Sequence, residues 1–442
     1  MTSRYEREAE KVLALAGQKA ESAEVWCADS ERIPVRFKDN KLKMLEASSS
    51  NGIALRVIAD GKIGFAASTK MDAASDLVEK ALATAQFGTP AEFDFPGPGD
   101  YPGPRVFDPA VADLEADALV ETGAAILEKI LAYEKHVQAS ISLDRGTGRV
   151  RLLNTEGVDL KRETTGISLW CTATLVEDES LLHTGDMMGS RFMYTEPEKV
   201  ADRIIEQIRV GRKRAPIAEG RYPVIFSPWA LSSILRPFMS CVDGDAVSRG
   251  ISPWRGRTGE VVADERLSLY DDGLMEGGLG TAPWDDEGIP AQRTPLIEDG
   301  VLKNFLVDLK NSARLDLPPT GNGSRGGLGS LPGISTSNIY LEEGDIPYEE
   351  MLSSIKEGIL VHQLMGAWGS NPYGGQISGN IGLGFKIENG EPVGRVKDCM
   401  LYLNGFEAWK DQLSAISSDV RQAVSFRFPY VLMEGVSISG RG

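Results

Sequence analysis

A proline- and glycine-rich segment in the first quarter of the chain restricts the fold more than any other feature of the sequence. Between Gly88 and Pro109, prolines stand at positions 90, 96, 98, 102, 104 and 109, with several glycines among them. Proline fixes its φ angle and lacks the N–H that a helix or a central strand needs. The segment is therefore predicted to be a linker or a surface-hugging loop between two folding units.

The residues before this segment predict a small unit of helices and antiparallel strands. Apolar residues recur at helical spacing in two runs, and alternate with polar residues in others. The dipeptide Asp60-Gly61 is typical of a tight hairpin turn between two strands. The predicted elements are helices over 4–18 and 72–85 and strands over 23–27, 33–37, 52–58 and 62–66.

The residues after the segment predict a second α+β unit. An apolar-periodic run over 113–133 indicates a long helix, and extended runs rich in Thr, Ile and Trp follow it. Thr195 and Glu198 have the spacing of a capping box, with Pro197 in the first turn, which predicts a helix to about Arg212. The strands predicted in this unit are 136–143, 150–154 and 158–176.

From Gly220 onward long helical patterns are few and glycine is frequent. We therefore predict an α+β protein, in which an N-terminal lobe of antiparallel sheets with helices precedes a β-rich, barrel-like C-terminal domain. The predicted units are 1–87, the proline-rich linker 88–110, 111–219 and 220–442. The last unit is predicted to hold strands over 222–227, 261–270, 295–307, 337–341, 382–387 and 431–438 and a helix over 351–357.

Charge and composition exclude several classes of partner. The 442 residues carry 47 Lys and Arg against 64 Asp and Glu, a net charge of −17, whereas nucleic-acid binding needs a basic face. No apolar run approaches the ~20 residues that span a bilayer, and the N-terminus lacks the apolar region of a signal peptide. The four cysteines show no C-x-x-C spacing, which fits buried thiols in a reducing compartment. We expect a cytoplasmic protein that binds neither nucleic acid nor membrane.

The most distinctive motif is the stretch 284–326. Its middle holds two strand-like pieces, 295–298 and 301–307, joined by the strong hairpin signal Asp299-Gly300. Its two ends, D-D-E-G and T-G-N-G-S-R-G, are dense in glycine, carboxylate and amide. Such residues suit a backbone that turns sharply and presents polar groups, rather than one that packs a core.

This stretch resembles the signature of the TldD/PmbA family, the so-called modulators of gyrase, which include a metalloprotease subunit and its non-metal partner. The matching pieces are D-D-E-G-I-P with Gln292, L-I-E-D-G-V-L-K-N-F-L, residues 311–314 and P-T-G-N-G-S-R. Residues 364–378, L-M-G-A-W-G-S-N-P-Y-G-G-Q-I-S, also resemble the PmbA (TldE) branch of the family. The likeness extends more weakly over the whole chain.

The resemblance also indicates where a metal-binding helix would lie. In the protease members, a helix carries a His-Glu pair and a second His five residues after the first. The two imidazoles hold zinc and the Glu is the general base. The register set by the following motifs D-G-D, R-G and G-E-V-V-A places Leu235 at the first His, Arg236 at the Glu and Ser240 at the second His. The resemblance thus implies that the zinc ligands and the general base are missing.

The remaining candidate ligands point the same way. The family's third ligand is a Cys close to the C-terminus, and this chain has no Cys after Cys399, which we expect to be a buried thiol in a strand. The histidines His136, His183 and His362 are widely spaced, and we expect structural or surface roles for them. The resemblance therefore implies no catalytic residue and no metal in this chain, with zinc in a TldD-like partner.

Two further motifs have alternative interpretations. Residues 321–326 match G-x-G-x-x-G, but prolines precede them and the residues that follow cannot form a good helix, so we expect no nucleotide binding. The acidic groups 271–272 and 285–287 could bind a cation through oxygens. They could equally be solvated loop carboxylates and turn caps, and we favour that interpretation.

The glycine-rich loops suggest a place for a peptide. Exposed glycines beside strand edges let another backbone approach, and protease clefts commonly bind an extended peptide along a sheet edge. Four polar residues lie in loops that match the family and have no evident core role. We expect these residues to line a substrate cleft or a subunit interface: Asn322, Arg325, Asn371 and Ser378.

Three functions follow from the sequence. The first is a PmbA/TldE-like non-catalytic subunit that joins a TldD-like zinc-bearing subunit in a cytoplasmic metalloprotease acting on unfolded or flexible peptides. The alternative is a stand-alone homodimer that binds peptides or hydrolyses them without zinc. The third, a regulator acting on DNA or gyrase, rests on the family's historical name, and the acidic charge of the chain weighs against it.

Overall fold

The computed structural model describes residues 4–70, 72–177 and 180–440, which form an α+β protein as the sequence predicts. The helices are α1 Arg4–Ala16, α2 Ala74–Ala85, α3 Pro109–Ala112, α4 Ala116–Tyr133, α5 Lys199–Gly211, α6 Pro228–Ile234, α7 Arg236–Cys241, α8 Gly244–Ser248, α9 Leu309–Leu315, α10 Tyr348–Ser353 and α11 Gly405–Glu407. Single 3₁₀ turns lie at Ala367–Gly369 and Pro372–Gly374, and a π-helical turn lies at Ala408–Gln412.

Two large sheets contain most of the strands, and the remaining two strands pair with each other. The first eleven are β1 Ser22–Lys38, β2 Lys41–Leu45, β3 Ser48–Ala59, β4 Lys62–Ser68, β5 Gln138–Asn154, β6 Asp159–Glu177, β7 Ser180–Ser190, β8 Gly220–Phe226, β9 Leu269–Asp272, β10 Arg293–Glu298 and β11 Val301–Leu302. The others are β12 Gly323–Ser324, β13 Gly333–Ile334, β14 Ile339–Leu341, β15 Glu357–Met365, β16 Gln376–Glu388, β17 Glu391–Arg395, β18 Cys399–Asn404, β19 Leu413–Ala423 and β20 Phe426–Gly440.

The first sheet has seven strands in the order β4-β3-β1-β5-β6-β7, with β2 paired to β1. Strands β1 and β5 pair antiparallel from Glu24 opposite Asn154 to Phe37 opposite Ile141. Because β1 precedes the proline-rich segment and β5 follows it, one sheet spans both predicted N-terminal units. The predicted boundaries of those units stay a prediction.

Helices cover this sheet through two apolar clusters. Helices α1 and α2 contribute Val12 and Leu77 to a cluster with Leu55 of β3. Helices α4 and α5 contribute Ile126 and Ile204 to a second cluster, which also includes barrel residues of the C-terminal part. Amphipathic helices with one apolar face therefore stabilise the sheet by burying that face against it.

The C-terminal part contains a closed five-stranded barrel. Its strands pair in the order β8-β15-β16-β18-β20, and β20 pairs back onto β8 with Val431 opposite Phe226. From β20 the sheet continues outward through β14, β9, β10 and β11. Trp409, Phe226 and Phe238 are fully buried in the apolar cluster of this part. The prediction of a barrel-like C-terminal domain is thus confirmed.

The proline-rich segment packs against the protein as a surface loop. Phe95 is buried, and the C=O of Pro96 accepts a hydrogen bond from Nδ2 of Asn154 at 2.7 Å. The hydroxyl of Tyr101 donates to the C=O of Gly288 at 3.1 Å. These contacts join the segment to the first sheet and to the motif 284–326.

Both predicted aspartate-glycine turns are present. Asp60 and Gly61 have φ angles of 49° and 67°, and Asp299 and Gly300 have φ angles of 50° and 74°. Two consecutive positive φ angles match the right-handed twist of the flanking strands, which is why this dipeptide closes hairpins. The second hairpin is shorter than predicted, because β11 ends at Leu302 and the next residues bond to other segments, as in Leu306 N to Val242 O at 2.9 Å.

Several predicted element boundaries were wrong. The helix predicted from 113 starts at Ala116, because Asp113 ends the short helix α3, which Asp108 caps. The predicted capping box does not form: α5 begins at Lys199, and Glu198 precedes it without a side-chain cap. Strand β7, which contains glycines and polar residues, was not predicted. The strand predicted over 261–270 is reduced to β9, and the helix predicted over 351–357 lies earlier, as α10. The strands predicted over 23–27 and 33–37 form one continuous strand, β1. Those predicted over 136–143 and 150–154 likewise form one strand, β5.

Candidate functional site

The two polar ends of the motif 284–326 meet in the structure. Oδ1 of Asp285, in the first end, accepts hydrogen bonds from two backbone N–H groups that follow it, at 2.9 and 3.0 Å. Its Oδ2 accepts a hydrogen bond from the N–H of Gly323, in the second end, at 2.7 Å. The N–H of Asp286 donates to the C=O of Gly323 at 2.8 Å. The motif therefore folds as one unit with its hairpin between the joined ends.

Asp286 links this unit to the first sheet. Its Oδ1 lies 2.7 Å from Nη2 of Arg162 on β6, and its Oδ2 accepts a hydrogen bond from the N–H of Arg325 at 2.9 Å. The guanidinium of Arg162 also lies 4.3 Å from the centre of the Trp284 ring and donates to the C=O of that residue. The motif is thus held against the sheet by paired charges and a cation–π contact.

Four buried charges form a network beside these contacts. Glu24 of β1 accepts from Arg56 of β3 at 2.9 Å with one oxygen, and from Arg325 at 2.6 Å with the other. Arg56 also lies 2.7 Å from Oε1 of Glu287. The four side chains are at most 4% exposed. Two carboxylates and two guanidiniums balance in charge, so the network joins the motif to the first sheet without a net buried charge.

The surroundings complete this network. Oε2 of Glu287 accepts from the N–H of Leu309 at 2.8 Å, at the start of α9. Phe93 and Phe95 lie against the Arg56 guanidinium, with ring centres 5.2 and 5.0 Å away. A Cβ added to Gly323 would lie 2.6 Å from Cγ of Glu287, so only glycine permits this approach. The site is therefore closely packed.

Burial dominates the electrostatics of the site. It raises the pKa of Asp285 to about 8, and the nearby charge of Glu287 adds to this effect. Burial also raises the pKa of Glu287, while the neighbouring Arg56 acts to lower it. For Arg56, burial acts to lower the pKa, but Glu24 and Glu287 more than offset burial and raise it. Arg56 is therefore a permanent cation that its two glutamates hold in place.

The sequence interpretation of the acidic groups was partly wrong. Asp285 does cap a turn, as predicted, but Asp285, Asp286 and Glu287 are buried rather than solvated. Asp271 is also buried, and burial raises the pKa of this carboxyl to about 6. Within the described ranges, no cluster of three or more His, Cys, Asp or Glu side chains is arranged to hold a metal ion.

Asn322 and Arg325 have core contacts, which corrects the expectation that they have none. Asn322 is 2% exposed, and its Nδ2 donates to Oδ2 of Asp271 at 2.5 Å and to the C=O of Ser335 at 3.0 Å. Arg325 belongs to the buried network through Glu24. The reason is that their loop packs under the first sheet strands instead of lying open to solvent. Their role in a cleft or interface stays a prediction.

Asn371 and Ser378 lie elsewhere, in the barrel. Asn371 is exposed, and its side chain accepts a hydrogen bond from the N–H of Gly374 at 3.3 Å. The N–H of Ser378 donates to Oγ of Ser370 at 3.1 Å. Nη1 of Arg236 donates to the C=O of Ser370 at 3.2 Å. The structure therefore places this pair beside α7, where the family resemblance puts the zinc helix.

The three positions aligned with the zinc helix do not offer a zinc site. Leu235, between α6 and α7, is 1% exposed in the apolar core. Arg236 donates to the C=O groups of Ala367 and Ser370 at 3.3 and 3.2 Å. Ser240 is the only one of the three with an oxygen to offer, and a catalytic zinc needs about three protein ligands. The residues present therefore do not fit zinc at this place.

The cysteines and histidines are used structurally. All four cysteines are buried free thiols, as predicted, and Cys399 lies in β18. His136 is a surface residue bonded to Glu134 at 3.1 Å, and Nδ1 of His183 lies 2.9 Å from the hydroxyl of Thr174. His362 on β15 accepts from Nε2 of Gln207 at 2.9 Å. The expected structural or surface role fits each histidine.

His362 predicts a specific loss of stability in acid. Burial lowers the pKa of His362 to about 4, below the unfolded value of about 6.5. Between these values the unfolded chain binds a proton that the folded chain does not, so stability falls as pH falls from 6.5 to 4. In His362→Gln this contribution, about 2–3 kcal/mol, should be absent. Denaturant unfolding at pH 7 and pH 4.5 measures it.

The control for this experiment is His136→Gln, because His136 is 69% exposed. The pH dependence of its unfolding free energy should change much less than that of His362→Gln, although the substitution also removes the contact of His136 with Glu134. The remaining acid-sensitive pairs are present in all three proteins, so their contribution cancels in the comparison. An equal pH dependence in His362→Gln and the unchanged protein would contradict the assignment.

Several residues of the site were missed by the sequence analysis: Glu24, Arg56 and Arg162. A signal existed for two of them. Arg56 interrupts the apolar run I-A-L-R-V-I, and Glu24 is the only charged residue in the apolar start of β1, A-E-V-W-C-A. A lone charge in an apolar strand indicates a buried partner, because an unpaired buried charge is strongly unfavourable. The identity of the partner could not be read from the strand.

The fold and this site define the chain as an α+β protein in which a large antiparallel sheet is joined to a closed barrel by buried ion pairs. The family models described as PmbA/TldA metallopeptidase domain 1, central domain and C-terminal domain match residues 23–85, 109–212 and 219–440. These matches span most of the chain in the expected order. The chain therefore belongs to the PmbA/TldD family.

Relatives and solved structures agree with this assignment. An uncharacterized protein of Methanocaldococcus jannaschii is 27% identical over 97% of this chain and 99% of its own length. A metalloprotease of Methanothermobacter thermautotrophicus is 26% identical over 92% of this chain and 90% of its own. The crystal structure of TldE from Thermococcus kodakarensis matches with a TM-score of 0.91 at 23% identity, covering 98% of this chain and all of the other, which supports the fold.

Proposed function

We propose that this chain is a PmbA/TldE-like, non-catalytic subunit of a heteromeric cytoplasmic zinc metalloprotease that acts on unfolded or flexible peptides. The observation that carries the proposal is the environment of α7. Where the protease members of the family hold two histidines and a glutamate, this chain has Leu235 in the core, Arg236 bonded to two carbonyls and Ser240.

The replacements act against metal chemistry in different ways. Leu235 has no donor atom and packs in the apolar core. Arg236 is a cation at the position of the general base, and its charge would repel Zn²⁺ rather than assist it. A general base must accept a proton at the operating pH, which a guanidinium does not do. We infer that zinc and the base are supplied by a TldD-like partner subunit.

Features of the described helices and thiols support the proposed location. Within the part of the chain that the structure describes, no helix has the length and apolar character that crossing a bilayer requires. The buried free thiols are typical of a reducing compartment. Both features are compatible with a cytoplasmic complex, and the net charge of −17 disfavours a DNA-binding role.

The partner is tested by purifying the tagged chain from its native cytoplasm. The co-purifying chains are identified, and zinc content and peptide hydrolysis are measured on the eluate. The proposal predicts a second chain with the His-Glu and His helix, together with zinc and hydrolysis. Recovery of a homodimer with its own hydrolytic activity would instead support the alternative, a stand-alone protein that does not need zinc.

We expect Asn371 and Ser378 to contribute to the contact with that partner. Both lie beside α7, and Asn371 is exposed. The double substitution Asn371→Ala with Ser378→Ala should weaken partner binding about tenfold, as removal of a central interface contact does. The hydrogen bond that Ser378 makes with Ser370 uses its backbone N–H, and the bond lost with Asn371 lies in an exposed 3₁₀ turn, so the fold should be kept. Calorimetric titration of partner into each variant measures the change.

The matched control is Asn380→Ala, an exposed residue on the same strand β16. Its affinity for the partner should equal that of the unchanged chain. Unaltered binding by the double variant would remove this pair from the proposed interface. The equivalent test at Asn322 and Arg325 is less informative, because both residues also support the core.

A further inference from the structure

A polar cavity of about 210 Å³ lies beside the buried network, between the first sheet and the C-terminal part. Arg162 and Thr164 of β6 form one wall, and Asp285 and Asp286 form another. The loop around Asn322 and the segment 335–337 also line the cavity. Arg191, the residue that follows β7 in the chain, lines it as well.

Arg191 is a cation without a carboxylate partner. Its Nη1 and Nη2 donate to the C=O groups of Thr165 and Thr281, each at 3.0 Å. Its Nε is buried and has no hydrogen-bond partner. Across the described ranges, no carboxylate lies within ion-pair distance of this guanidinium. Burial and the neighbouring charge of Arg162 lower the pKa of Arg191 to about 10, so Arg191 is still protonated at neutral pH.

The cavity wall carries an excess positive charge. Asp286 is paired with Arg162 at 2.7 Å, so these two charges compensate each other. Burial raises the pKa of Asp285 and so favours the neutral form of this carboxyl, which makes no ion pair with Arg191 in the described part of the chain. The charge of Arg191 is therefore uncompensated, in a chain whose net charge is −17. A small anion is the complementary ligand.

The side chain of Asn322 sets a second requirement for the ligand, which is a hydrogen-bond donor. Its side chain is almost fully buried, and its Nδ2 already donates to Asp271 and Ser335. Its Oδ1 is buried and has no donor in the structure. A buried acceptor without a partner costs about 1–3 kcal/mol. A ligand that donates a hydrogen bond would remove this cost, which chloride, sulfate or a simple carboxylate such as acetate cannot do.

We propose that this cavity binds the carboxyl terminus of a peptide, with the terminal carboxylate at Arg191 and an adjacent amide N–H at Asn322. A peptide end carries both groups within one residue, whereas chloride, sulfate and acetate carry only the charge. The cavity volume suits one or two residues rather than a folded partner. The site belongs wholly to this chain and does not depend on the proposed zinc-bearing partner.

Calorimetric titration of the purified full-length chain tests the site with three small probes. Acetyl-alanyl-alanine has a free carboxylate and amide N–H groups. The second probe, acetyl-alanyl-alanine amide, has an uncharged amide in place of the carboxylate. The third probe, acetate, has the charge but no amide N–H. We expect the amide to bind at least tenfold more weakly than the acid, and acetate at least tenfold more weakly as well, because each leaves one buried group unpaired. Equal binding of acid and amide, or no binding of the acid at millimolar concentration, would overturn the proposal. Acetate binding as tightly as the acid would overturn the assignment of Asn322.

A pair of variants gives an independent test. Arg191→Gln should weaken binding of acetyl-alanyl-alanine at least tenfold, because it removes the uncompensated charge. Arg149→Gln removes the same charge from β5, where Arg149 is exposed and paired with Glu163 at 3.0 Å, and should leave binding unchanged. Equal affinities of these two variants would overturn the role of Arg191. The comparison of acid with amide uses the unchanged chain, so it decides the question even if Arg191→Gln does not fold.

Discussion

Glu24→Gln is expected to destabilise the folded chain by about 3–5 kcal/mol, the usual cost of removing one partner of a buried ion pair. Glu24 is fully buried, and its two oxygens hold Arg56 and Arg325. Arg56 keeps Glu287 after the substitution. Arg325 loses the one carboxylate that lies within ion-pair distance of it in the described part of the chain. A buried guanidinium is then left unpaired.

Thermal unfolding followed by circular dichroism measures this effect. The midpoint should fall by roughly 3–5 °C relative to the unchanged chain, because the unfolding entropy grows with chain length. Arg149→Gln is the control, since it removes an exposed ion pair with Glu163 on the same sheet, and its midpoint should stay close to that of the unchanged chain. If Glu24→Gln lowered the midpoint no more than Arg149→Gln, the network would not join the motif to the sheet as described.

Trp409→Ala should destabilise the C-terminal part by about 3–5 kcal/mol, because it leaves a large cavity in a closely packed core. Trp409 is fully buried, and its ring centre lies 6.1 Å from that of Phe238 on α7. Its Nε1 donates to the C=O of Ile234 at 3.2 Å. The side chain therefore holds both helices that flank Leu235.

Trp409→Phe separates the contribution of ring packing to stability from that of the hydrogen bond. It keeps a ring against Phe238 and removes the hydrogen bond to Ile234, so about half of the destabilisation is expected. Urea denaturation followed by far-ultraviolet circular dichroism gives the unfolding free energies of both variants. Equal losses for Trp409→Ala and Trp409→Phe would show that the hydrogen bond, rather than the packing of the ring, supports α6 and α7.

Features set by local chemistry could be predicted from the sequence. The turns at Asp60-Gly61 and Asp299-Gly300 form because these residues tolerate positive φ angles, and the sequence carries that information within two positions. The α+β class follows from the order of helical and alternating patterns. The closed barrel was predictable only as a β-rich domain, since the pairing of β20 with β8 joins residues about 200 positions apart.

The site depended on pairings that no local pattern specifies. Glu24 and Arg325 form an ion pair across 301 positions, and Arg56 and Glu287 across 231. The sequence identified D-D-E-G and N-G-S-R as one motif but placed it in open loops, because glycine and carboxylates usually lie at the surface. Their burial follows from the packing of the motif against β1 and β3, where Glu24 pairs with Arg325 and Arg56 pairs with Glu287.

We infer that this chain supplies no zinc site and depends on a zinc-bearing partner for hydrolysis. Metal analysis and peptide hydrolysis on the purified chain, after incubation with zinc and removal of the excess, test this inference alongside the complex recovered from native cells. We expect zinc and hydrolysis in the complex, and neither in the chain alone. Stoichiometric zinc together with hydrolysis in the chain alone would contradict it.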